Sequence, residues 1–294
     1  MADISASSNT YSVLIAGFGD IGQRIARELN QLDIIARIYG IKRSLITSED
    51  AELILWDMND APEIQLPEVD YVIFCTSADA LTEAGYQRSY IDAQANLIEK
   101  LAKQSKPLRR YFFCSSTSCY GQKAHEVISE DSETTPTRFT GVKMLEAEAT
   151  ATKNVSWPVT SIRATGLYGP GRQRMISQVY QGNIAESEPV CYSNRIHVDD
   201  LARFYAHLIQ QDISGQKVET VYLASDDLPV PLHEVQEWLA AAMNINQLNR
   251  VAAGRTGSKQ ISNQRMKDSG FQLRYPSYKE GMMPLIADFL ASQS

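Results

Sequence analysis

Short runs of apolar residues recur along the chain and alternate with segments of helical spacing. Ile21, Ile25 and Leu29 share one helix face in "DIGQRIARELNQL", and a longer helical segment runs from Leu81 to Gln104. The apolar runs have the length of strands and read "SVLIAGFG", "ARIYGI", "AELILW", "DYVIFC", "RRYFFCSS", "PVTSIRA" and "TVYLA". Strands that alternate with helices predict a doubly wound α/β fold, in which helices cover both faces of a parallel sheet.

The composition changes after "LYGPGR", which indicates a second part of the chain. Pro, Gly and polar residues mix there without a sustained period, and loosely connected helices follow from Ser225 onward. A helix in "VDDLARFYAHLIQ" stands between these two segments, with Asp199 or Asp200 placed to cap it. We therefore expect a sheet domain at 1–168 and 196–224, and a small discontinuous lobe at 169–195 and 225–294.

Composition and charge exclude several classes of protein. The 294 residues are 44% apolar and 21% charged, a balance that supports a packed core. The formal net charge is −7 and no basic run of five or more residues occurs, whereas nucleic-acid binding needs clustered Lys and Arg. The apolar runs are too short to span a membrane, and the polar start "MADISASSNTYS" lacks the apolar core of a signal peptide. We expect a cytoplasmic protein that binds neither nucleic acid nor membrane.

The cysteines show no pattern of metal ligation. Cys75, Cys114, Cys119 and Cys191 form no Cys-x-x-Cys pair and have no histidine at a spacing suited to zinc. Three of them lie on or just after apolar runs, which favours buried, reduced thiols. We expect no metal site.

A glycine pattern joins the first predicted strand to the first predicted helix. Gly17, Gly19 and Gly22 spell G-x-G-x-x-G at that junction, with Asp20 and Ile21 between the last two glycines. Such glycines allow a tight turn and let the backbone approach a pyrophosphate, which then lies on the helix N-terminus. The position in a strand–helix–strand series supports a dinucleotide site over the alternative, a glycine-rich turn without a ligand.

The end of the second predicted strand bears on the choice of dinucleotide. Lys42 and Arg43 stand there, and no acidic residue follows before Glu49. A carboxylate at this place binds the ribose 2′-hydroxyl of NAD, whereas a cation accommodates the 2′-phosphate of NADP. The sequence favours NADP over NAD, unless both cations merely face water. Asp57, after "LILW", is a candidate acceptor for the adenine amino group or a turn former.

Several motifs together resemble the extended short-chain dehydrogenases/reductases, also called the NAD-dependent epimerase/dehydratase family. They are "GFGDIG", "FFCSSTSCYG", a helix with Lys143, "IRATGLYGPGR", "RIHVDDLA" and "GFQLRYPSYKEG", and they follow one another over nearly the whole chain. The resemblance implies a Rossmann-like sheet, an NADP or NAD cofactor, a small-molecule substrate and a C-terminal substrate lobe. One departure concerns the first glycine of the usual GxxGxxG, where this chain has Ala16 followed by Gly17.

The resemblance also implies an active site with one missing group. In the family a Ser or Thr, a Tyr and a Lys four residues later act together: the Lys holds the nicotinamide ribose and lowers the phenol pKa. The phenol transfers the proton and the Ser or Thr binds the substrate oxygen. By position Ser116 and Lys143 are the catalytic residues, and Phe139 stands where the tyrosine belongs. The usual acid–base step therefore cannot run through this position.

Other residues near the implied cleft are expected to bind rather than react. We expect Cys75 and Thr76 to contact the cofactor, and Tyr120, Tyr168, Arg163 and His197 to contact the substrate. Tyr120, Tyr168, Cys119 and Ser116 with an ordered water are the alternative routes for the proton. Surface positions are the alternative for Arg163 and Arg195, and a structural role is the alternative for His197.

Two functions remain open at this stage. The first is an NADP-dependent oxidoreductase or epimerase acting on a small carbonyl compound or a nucleotide-linked sugar, supported by Ser116 and Lys143. The second is a non-catalytic NADP-binding protein with a redox-sensing or regulatory role, supported by Phe139. In relatives the segment from Leu81 to Gln104 and the Lys143 helix pair across a two-fold axis, which predicts a homodimer.

Overall fold

A computed structural model describes residues 10–44, 47–60, 64–253 and 258–293 of the chain. Residues 1–9, which carry most of the segment used to predict the absence of a signal peptide, lie outside the described residues. Within the described ranges no helix is long and apolar enough to cross a membrane.

A seven-stranded sheet forms the centre of the fold and confirms the predicted doubly wound α/β class. Its strand order is β12-β7-β5-β4-β1-β2-β3. The chain adds β2 and β3 on one side of β1, and then returns to add β4, β5, β7 and β12 on the other side. The strands of this sheet are β1 (Tyr11–Ala16), β2 (Ile35–Lys42), β3 (Glu52–Leu55), β4 (Tyr71–Phe74), β5 (Arg110–Ser116), β7 (Val159–Ala164) and β12 (Val221–Ala224).

Burial explains why these segments form central strands. The residues of β4 and β7 are all buried, as expected of parallel strands covered on both faces. Val13 of β1 pairs with Ile38 of β2 and Tyr71 of β4, in parallel register. The carboxyl ends of these strands therefore lie along one edge of the sheet, where ligands bind in open α/β sheets.

Helices connect the strands and occupy most of the predicted helical segments. The helices are α1 (Asp20–Leu29), α2 (Glu83–Tyr86), α3 (Ala93–Leu101), α4 (Phe139–Thr152), α5 (Arg174–Tyr180), α6 (Val198–Ile213), α7 (Leu232–Ala242), α8 (Gln264–Asp268) and α9 (Tyr278–Ala291). The predicted helix from Leu81 to Gln104 is interrupted, because a π-helical segment, Gln87–Asp92, separates α2 from α3. A short 3-10 turn, Thr117–Cys119, follows β5.

Short paired strands complete the described secondary structure. They are β6 (Val127–Ile128), β8 (Gly166–Tyr168), β9 (Asn183–Ala185), β10 (Tyr192–Ser193), β11 (Arg195–His197), β13 (Val230–Pro231), β14 (Asn249–Val251) and β15 (Gln260–Ile261). They pair as β6 with β15, β8 with β11, β9 with β14 and β10 with β13.

The chain divides into two compact units. The first comprises the chain up to Cys114 with Lys143–Ser161 and Tyr205–Thr220, and the second comprises Ser115–Val142, Ile162–Phe204 and Val221–Ser294. In the second unit, α5, α7 and α9 enclose an apolar cluster that includes Val179, Val235 and Met282. The predicted boundaries of the sheet domain and the lobe stay a prediction.

Asp200, near the start of α6, has a different role from the predicted cap. The helix begins at Val198, so Asp200 lies inside its first turn and is fully buried. Its carboxylate accepts hydrogen bonds from the backbone N–H groups of Arg274 and Tyr275, both at 2.8 Å. Asp200 thus fixes the segment that leads into α9.

Candidate active site and cofactor cleft

The glycines after β1 form a close turn against the end of β4. Gly17 has φ +95°, and a Cβ on it would lie 2.7 Å from the backbone nitrogen of Thr76. A Cβ on Gly22 would lie 2.9 Å from the carbonyl oxygen of Gly17. Both positions therefore require glycine, one for its backbone conformation and both for the space. A Cβ on Gly19, by contrast, would meet nothing within 4 Å, so open space lies above that residue.

The open space faces the start of α1. Gly19 is the N-cap residue and supplies no side chain to its helix, while Asp20 and Ile21 lie in the first turn. The Asp20 carboxylate turns to Arg24, 2.9 Å away. Backbone N–H groups at such a helix start are donors without partners in the helix, and they suit an anionic group such as a pyrophosphate.

Cys75 and Thr76 form the other wall of this turn. The Cys75 thiol lies 3.4 Å from the carbonyl oxygen of Gly17, and burial raises the pKa of that thiol well above its ordinary range. The Thr76 hydroxyl donates to the carbonyl oxygen of Ser89 at 2.9 Å. Both residues lie where the sequence predicts cofactor contacts, and Cys75 remains a protonated thiol.

Charged residues gather at the ends of β2 and β3. The Lys42 ammonium lies 3.5 Å from the carbonyl oxygen of Phe18, and Arg43 forms an ion pair with Asp79 at 2.8 Å. Asp57 accepts hydrogen bonds from the backbone and side-chain nitrogens of Asn59, and lies 3.4 Å from a guanidinium nitrogen of Arg88.

The surroundings of Asp57 decide its charge. Burial raises the pKa of this carboxyl, but the hydrogen bonds from Asn59 and the charge of Arg88 outweigh burial, so the pKa lies below its ordinary value. Asp57 is thus an ionised turn former, the second of the two roles that its sequence position left open. A contact with adenine remains a prediction.

Lys143 is held by three side chains of the same unit. Its ammonium lies 3.0 Å from Gln87 Oε1, 2.7 Å from Glu146 Oε2 and 3.7 Å from Glu83 Oε1. The hydrogen bond to Glu146 is the main reason why the pKa of Lys143 lies above its ordinary value. The side chain is 13% exposed, so the amine is directed toward these partners rather than outward into solvent.

Ser116 ends β5 and begins the 3-10 turn. Its hydroxyl oxygen accepts the backbone N–H of Ser118 at 3.1 Å, which leaves the hydroxyl proton as a donor. The start of α4 packs closely on this turn, since a Cβ on Gly141 would lie 2.2 Å from the carbonyl oxygen of Ser118. Gly141 is a residue that the sequence analysis missed, although it stands two residues before Lys143.

Tyr120 and Arg163 form a buried pair in the second unit. Arg163 donates to the phenolic oxygen at 2.6 Å, and Lys259 donates to the backbone carbonyl of Tyr120. Burial raises the pKa of Tyr120 despite the guanidinium, and burial lowers the pKa of Lys259. Arg163 is only 6% exposed, so the surface alternative for this residue is wrong. Lys259 is a further polar residue that its sequence context did not reveal.

Tyr168 and His197 face each other across the strand pair of β8 and β11. The two rings make an edge contact with centroids 5.1 Å apart, and the His197 ring lies 3.9 Å from that of Tyr275. The Tyr168 hydroxyl donates to the carbonyl oxygen of Ser277, and burial raises its pKa far above the ordinary value. An acid role for Tyr168 is therefore disfavoured, while its proposed contact with substrate stays a prediction.

A family model named "NAD dependent epimerase/dehydratase family" matches residues 13–224 of the chain. This span covers the glycine turn, Ser116 and Lys143. The chain belongs to this family. The resemblance seen in the sequence motifs is thereby confirmed, as is the NAD(P)-binding fold.

Solved structures of similar architecture agree with the assignment. A provisionally named NAD-dependent epimerase/dehydratase from Methylobacillus flagellatus is 32% identical, with TM-score 0.78, covering 95% of this chain and 99% of that one. MoeE5 in complex with UDP-glucose and NAD is 21% identical, with TM-score 0.77 and coverage of 96% and 100%. Human SDR39U1 with NADPH is 17% identical, with TM-score 0.79 and coverage of 94% and 99%. The latter two show the fold alone. The comparison with curated proteins finds no match.

Phe139 is the departure of this epimerase/dehydratase family member from the family's motif. It is the first residue of α4, half-buried, one helical turn before Lys143. A phenyl ring has no exchangeable proton, so α4 carries the lysine of the family's motif without the motif's proton donor. The four cysteines are free thiols, and the described residues contain no group of three or more His, Cys, Asp or Glu side chains arranged to hold a metal.

Asp226, just after β12, is a buried residue that the sequence analysis missed, and it lies close enough to Arg195 to feel its charge. Asp226 is 1% exposed, and burial raises the pKa of its carboxyl to about 7 against the attraction of Arg195. Its Oδ1 accepts the backbone N–H of Leu228, while Oδ2 has no hydrogen-bond partner in the described part of the chain. Arg195 is 3% exposed and stacks on the ring of Tyr278, so it too is not a surface residue.

Proposed function

We propose that the protein binds NADP(H) and acts as an oxidoreductase or epimerase on a small carbonyl compound or a nucleotide-linked sugar. The observation that carries the proposal is the glycine turn, where Gly17 closes on Thr76 while Gly19 opens onto unfilled space at a helix start. That shape suits a pyrophosphate. The NADPH of human SDR39U1 and the UDP-glucose and NAD of MoeE5 support the same classes of ligand.

Two residues have the chemistry for the reaction. A bound nicotinamide supplies or accepts the hydride. Lys143 binds the adjoining ribose hydroxyls with its ammonium, and Ser116 donates its hydroxyl proton to the substrate oxygen, where charge develops. The proton that a tyrosine would deliver reaches the substrate through water held by Ser116. A general acid typically accelerates a reaction on the order of 10²- to 10⁴-fold. Loss of the tyrosine therefore slows turnover by about that factor without abolishing it.

NADP is the proposed form of the cofactor. Arg43 and Lys42 stand at the end of β2, where a 2′-phosphate would replace the Asp79 carboxylate as the partner of Arg43. Guanidinium groups bind phosphate through paired hydrogen bonds, which favours the phosphorylated dinucleotide. Asp57, Cys75 and Thr76 complete the proposed cofactor contacts.

Residues 169–195 and 225–294 are proposed to enclose the substrate. Tyr120, Arg163, Tyr168 and His197 are the proposed substrate contacts, and their mutual hydrogen bonds and ring contacts support a preorganised wall rather than acid–base chemistry. We also propose a homodimer formed by the helices from Leu81 to Gln104 and α4, on a surface where Leu81 is 74% exposed. The cytoplasmic location expected from the sequence remains a proposal.

A non-catalytic NADP-binding protein is the second candidate, and Phe139 favours it. NADPH oxidation, followed by absorbance over a panel of aldehydes, ketones and keto-sugars, separates the two. Turnover that disappears in Lys143→Ala supports the enzyme. Tight NADPH binding without turnover on any compound supports the regulatory protein, and no binding of either dinucleotide overturns both.

A further inference from the structure

A π-helical segment interrupts the helical connection after β4. Gln87–Asp92 adopts this wider turn between α2 and α3. π-Turns are rare within α-helices and occur frequently at functional sites, because the extra residue redirects the side chains that follow it. The contacts of residues Gln87–Asp92 show what this segment does in this protein.

Four consecutive residues of the segment each contact a different part of the proposed cofactor cleft. Gln87 accepts from the Lys143 ammonium at 3.0 Å, and Arg88 lies 3.4 Å from the Asp57 carboxylate. The Ser89 carbonyl accepts from Thr76 at 2.9 Å, and the Tyr90 hydroxyl accepts the backbone N–H of Ala78 at 3.2 Å. This one turn thus connects α4, which carries Lys143, to the carboxyl ends of β3 and β4.

The orientation of the Gln87 amide is fixed by its two neighbours. The Lys143 ammonium can only donate a hydrogen bond, so the amide oxygen must face it. The Asp92 carboxylate can only accept, and the amide nitrogen donates to it at 2.8 Å. Gln87 is thus locked between a cation and an anion, and it holds the ammonium in one place.

The ammonium of Lys143 has three protons to donate. Gln87 and Glu146 accept two of them at 3.0 and 2.7 Å. Glu83 lies farther away, at 3.7 Å, and its side chain is 68% exposed. The third proton therefore faces Glu83, the most distant and most exposed of the three partners. A ribose hydroxyl that binds there would take the place of this exposed carboxylate.

We propose that Gln87 is a positioning residue for the nicotinamide ribose, acting through Lys143. This inference rests on the proposed function. In the family's motif a tyrosine stands one turn before the lysine, and the Phe139 side chain has no polar atom with which to interact with the ammonium. The amide of Gln87, presented by the π-turn, holds the ammonium instead.

The test compares two ligands that share the adenosine half. NADPH contains the nicotinamide ribose, whereas adenosine 2′,5′-bisphosphate does not. Gln87→Leu, Lys143→Met and the double variant are titrated with both ligands by calorimetry, and NADPH is also followed by its nicotinamide fluorescence. Gln104→Leu is the matched control, because the Gln104 amide accepts the backbone N–H of Val69, just before the amino end of β4.

The expected result is specific to the nicotinamide half. Gln87→Leu and Lys143→Met each weaken NADPH binding on the order of tenfold, and the double variant is no weaker than Lys143→Met, since both act through one ammonium. Adenosine 2′,5′-bisphosphate binds all variants alike, which shows that the cleft is intact. Gln104→Leu changes neither affinity.

Other results overturn the inference in distinguishable ways. Equal weakening of both ligands in Gln87→Leu assigns Gln87 a purely structural role. Unchanged NADPH affinity, or additive effects in the double variant, shows that Gln87 does not act through Lys143. A wild-type protein that binds neither ligand overturns the proposed function itself, and this inference with it.

Discussion

Phe139 and Lys143 lie one turn apart on the same helix, and Phe139 stands at the position where the family's motif has its tyrosine. The ring is half-buried at the start of α4, so a hydroxyl added at its edge needs no fully buried partner. The chain therefore has the lysine of the family's motif and lacks the oxygen atom that a tyrosine would supply at position 139.

Phe139→Tyr supplies that oxygen. If Lys143 binds the ribose, its positive charge also lowers the phenol pKa, and the variant should turn over NADPH with a carbonyl substrate about 10²- to 10⁴-fold faster than wild type. Steady-state kinetics on the most active compound of the substrate panel measure the gain. Phe139→Leu is the control and should give none. Unchanged kcat in Phe139→Tyr, with NADPH still bound, would place the ring outside the reacting centre.

Lys143→Met separates the binding role of the ammonium from the packing role of its stem. Methionine keeps most of the apolar stem and removes the charge, so NADPH binding should weaken about tenfold while the thermal midpoint changes little. Lys103→Met is a suitable control, because Lys103 makes a similar helical ion pair with Glu99 at 3.1 Å. A large fall in thermal midpoint with unchanged NADPH affinity would make Lys143 a structural ion pair.

The sequence predicts the sheet and the glycine turn because both leave local patterns. Buried parallel strands are continuous apolar runs, and a backbone that approaches a phosphate needs glycine at fixed spacing. The π-turn leaves no such pattern, since one extra residue hardly alters helical periodicity. Contacts between distant residues were equally hidden: Lys259 binds the carbonyl of Tyr120 across a separation of 139 positions. The charge state of Asp226 depends on burial, which only the folded chain determines.

Two glycines of the cofactor turn should respond differently to alanine. At Gly19 a Cβ meets no atom within 4 Å and φ is −89°, so Gly19→Ala should fold normally but project a methyl group into the space proposed for the pyrophosphate. We expect NADPH binding to weaken at least about tenfold with little change in the free energy of unfolding.

Gly17→Ala is the contrasting variant. Its φ of +95° and the contact of 2.7 Å with the Thr76 nitrogen should lower the free energy of unfolding by about 1–3 kcal/mol. Urea unfolding and NADPH titration of both variants test the pair. Normal NADPH binding by Gly19→Ala would show that the pyrophosphate lies elsewhere.

Arg43→Gln tests the preference for NADP. Loss of the guanidinium should weaken NADPH binding about tenfold and leave NADH binding unchanged, because only NADPH carries the 2′-phosphate. Arg27→Gln is the matched control: Arg27 pairs with Asp50 at 3.3 Å and is 55% exposed, against 58% for Arg43. Calorimetric titration with both dinucleotides measures the ratio. A wild-type preference for NADH would contradict the assignment of NADP.

Asp226 should make stability depend on pH in a defined direction. Burial raises the pKa of this carboxyl from 3.8 to about 7 in the folded protein. Below pH 3.8 both folded and unfolded states are protonated, and no penalty arises. Between these values the unfolded state has released the proton while the folded state retains it, so the free energy of unfolding falls as pH rises. The full effect is on the order of 4 kcal/mol and is reached above pH 7.

Asp226→Asn removes the titrating group and should remove this dependence. The variant should gain stability relative to wild type between pH 5 and pH 8, since asparagine never becomes a buried anion. Asp227→Asn provides the control, because Asp227 is the neighbouring carboxylate, is 39% exposed and pairs with Lys267. Urea unfolding of the three proteins at both pH values measures the differences. If Asp226→Asn is less stable than wild type by the same amount at pH 5 and pH 8, the carboxylate is ionised throughout and its attraction to Arg195 outweighs the cost of burial.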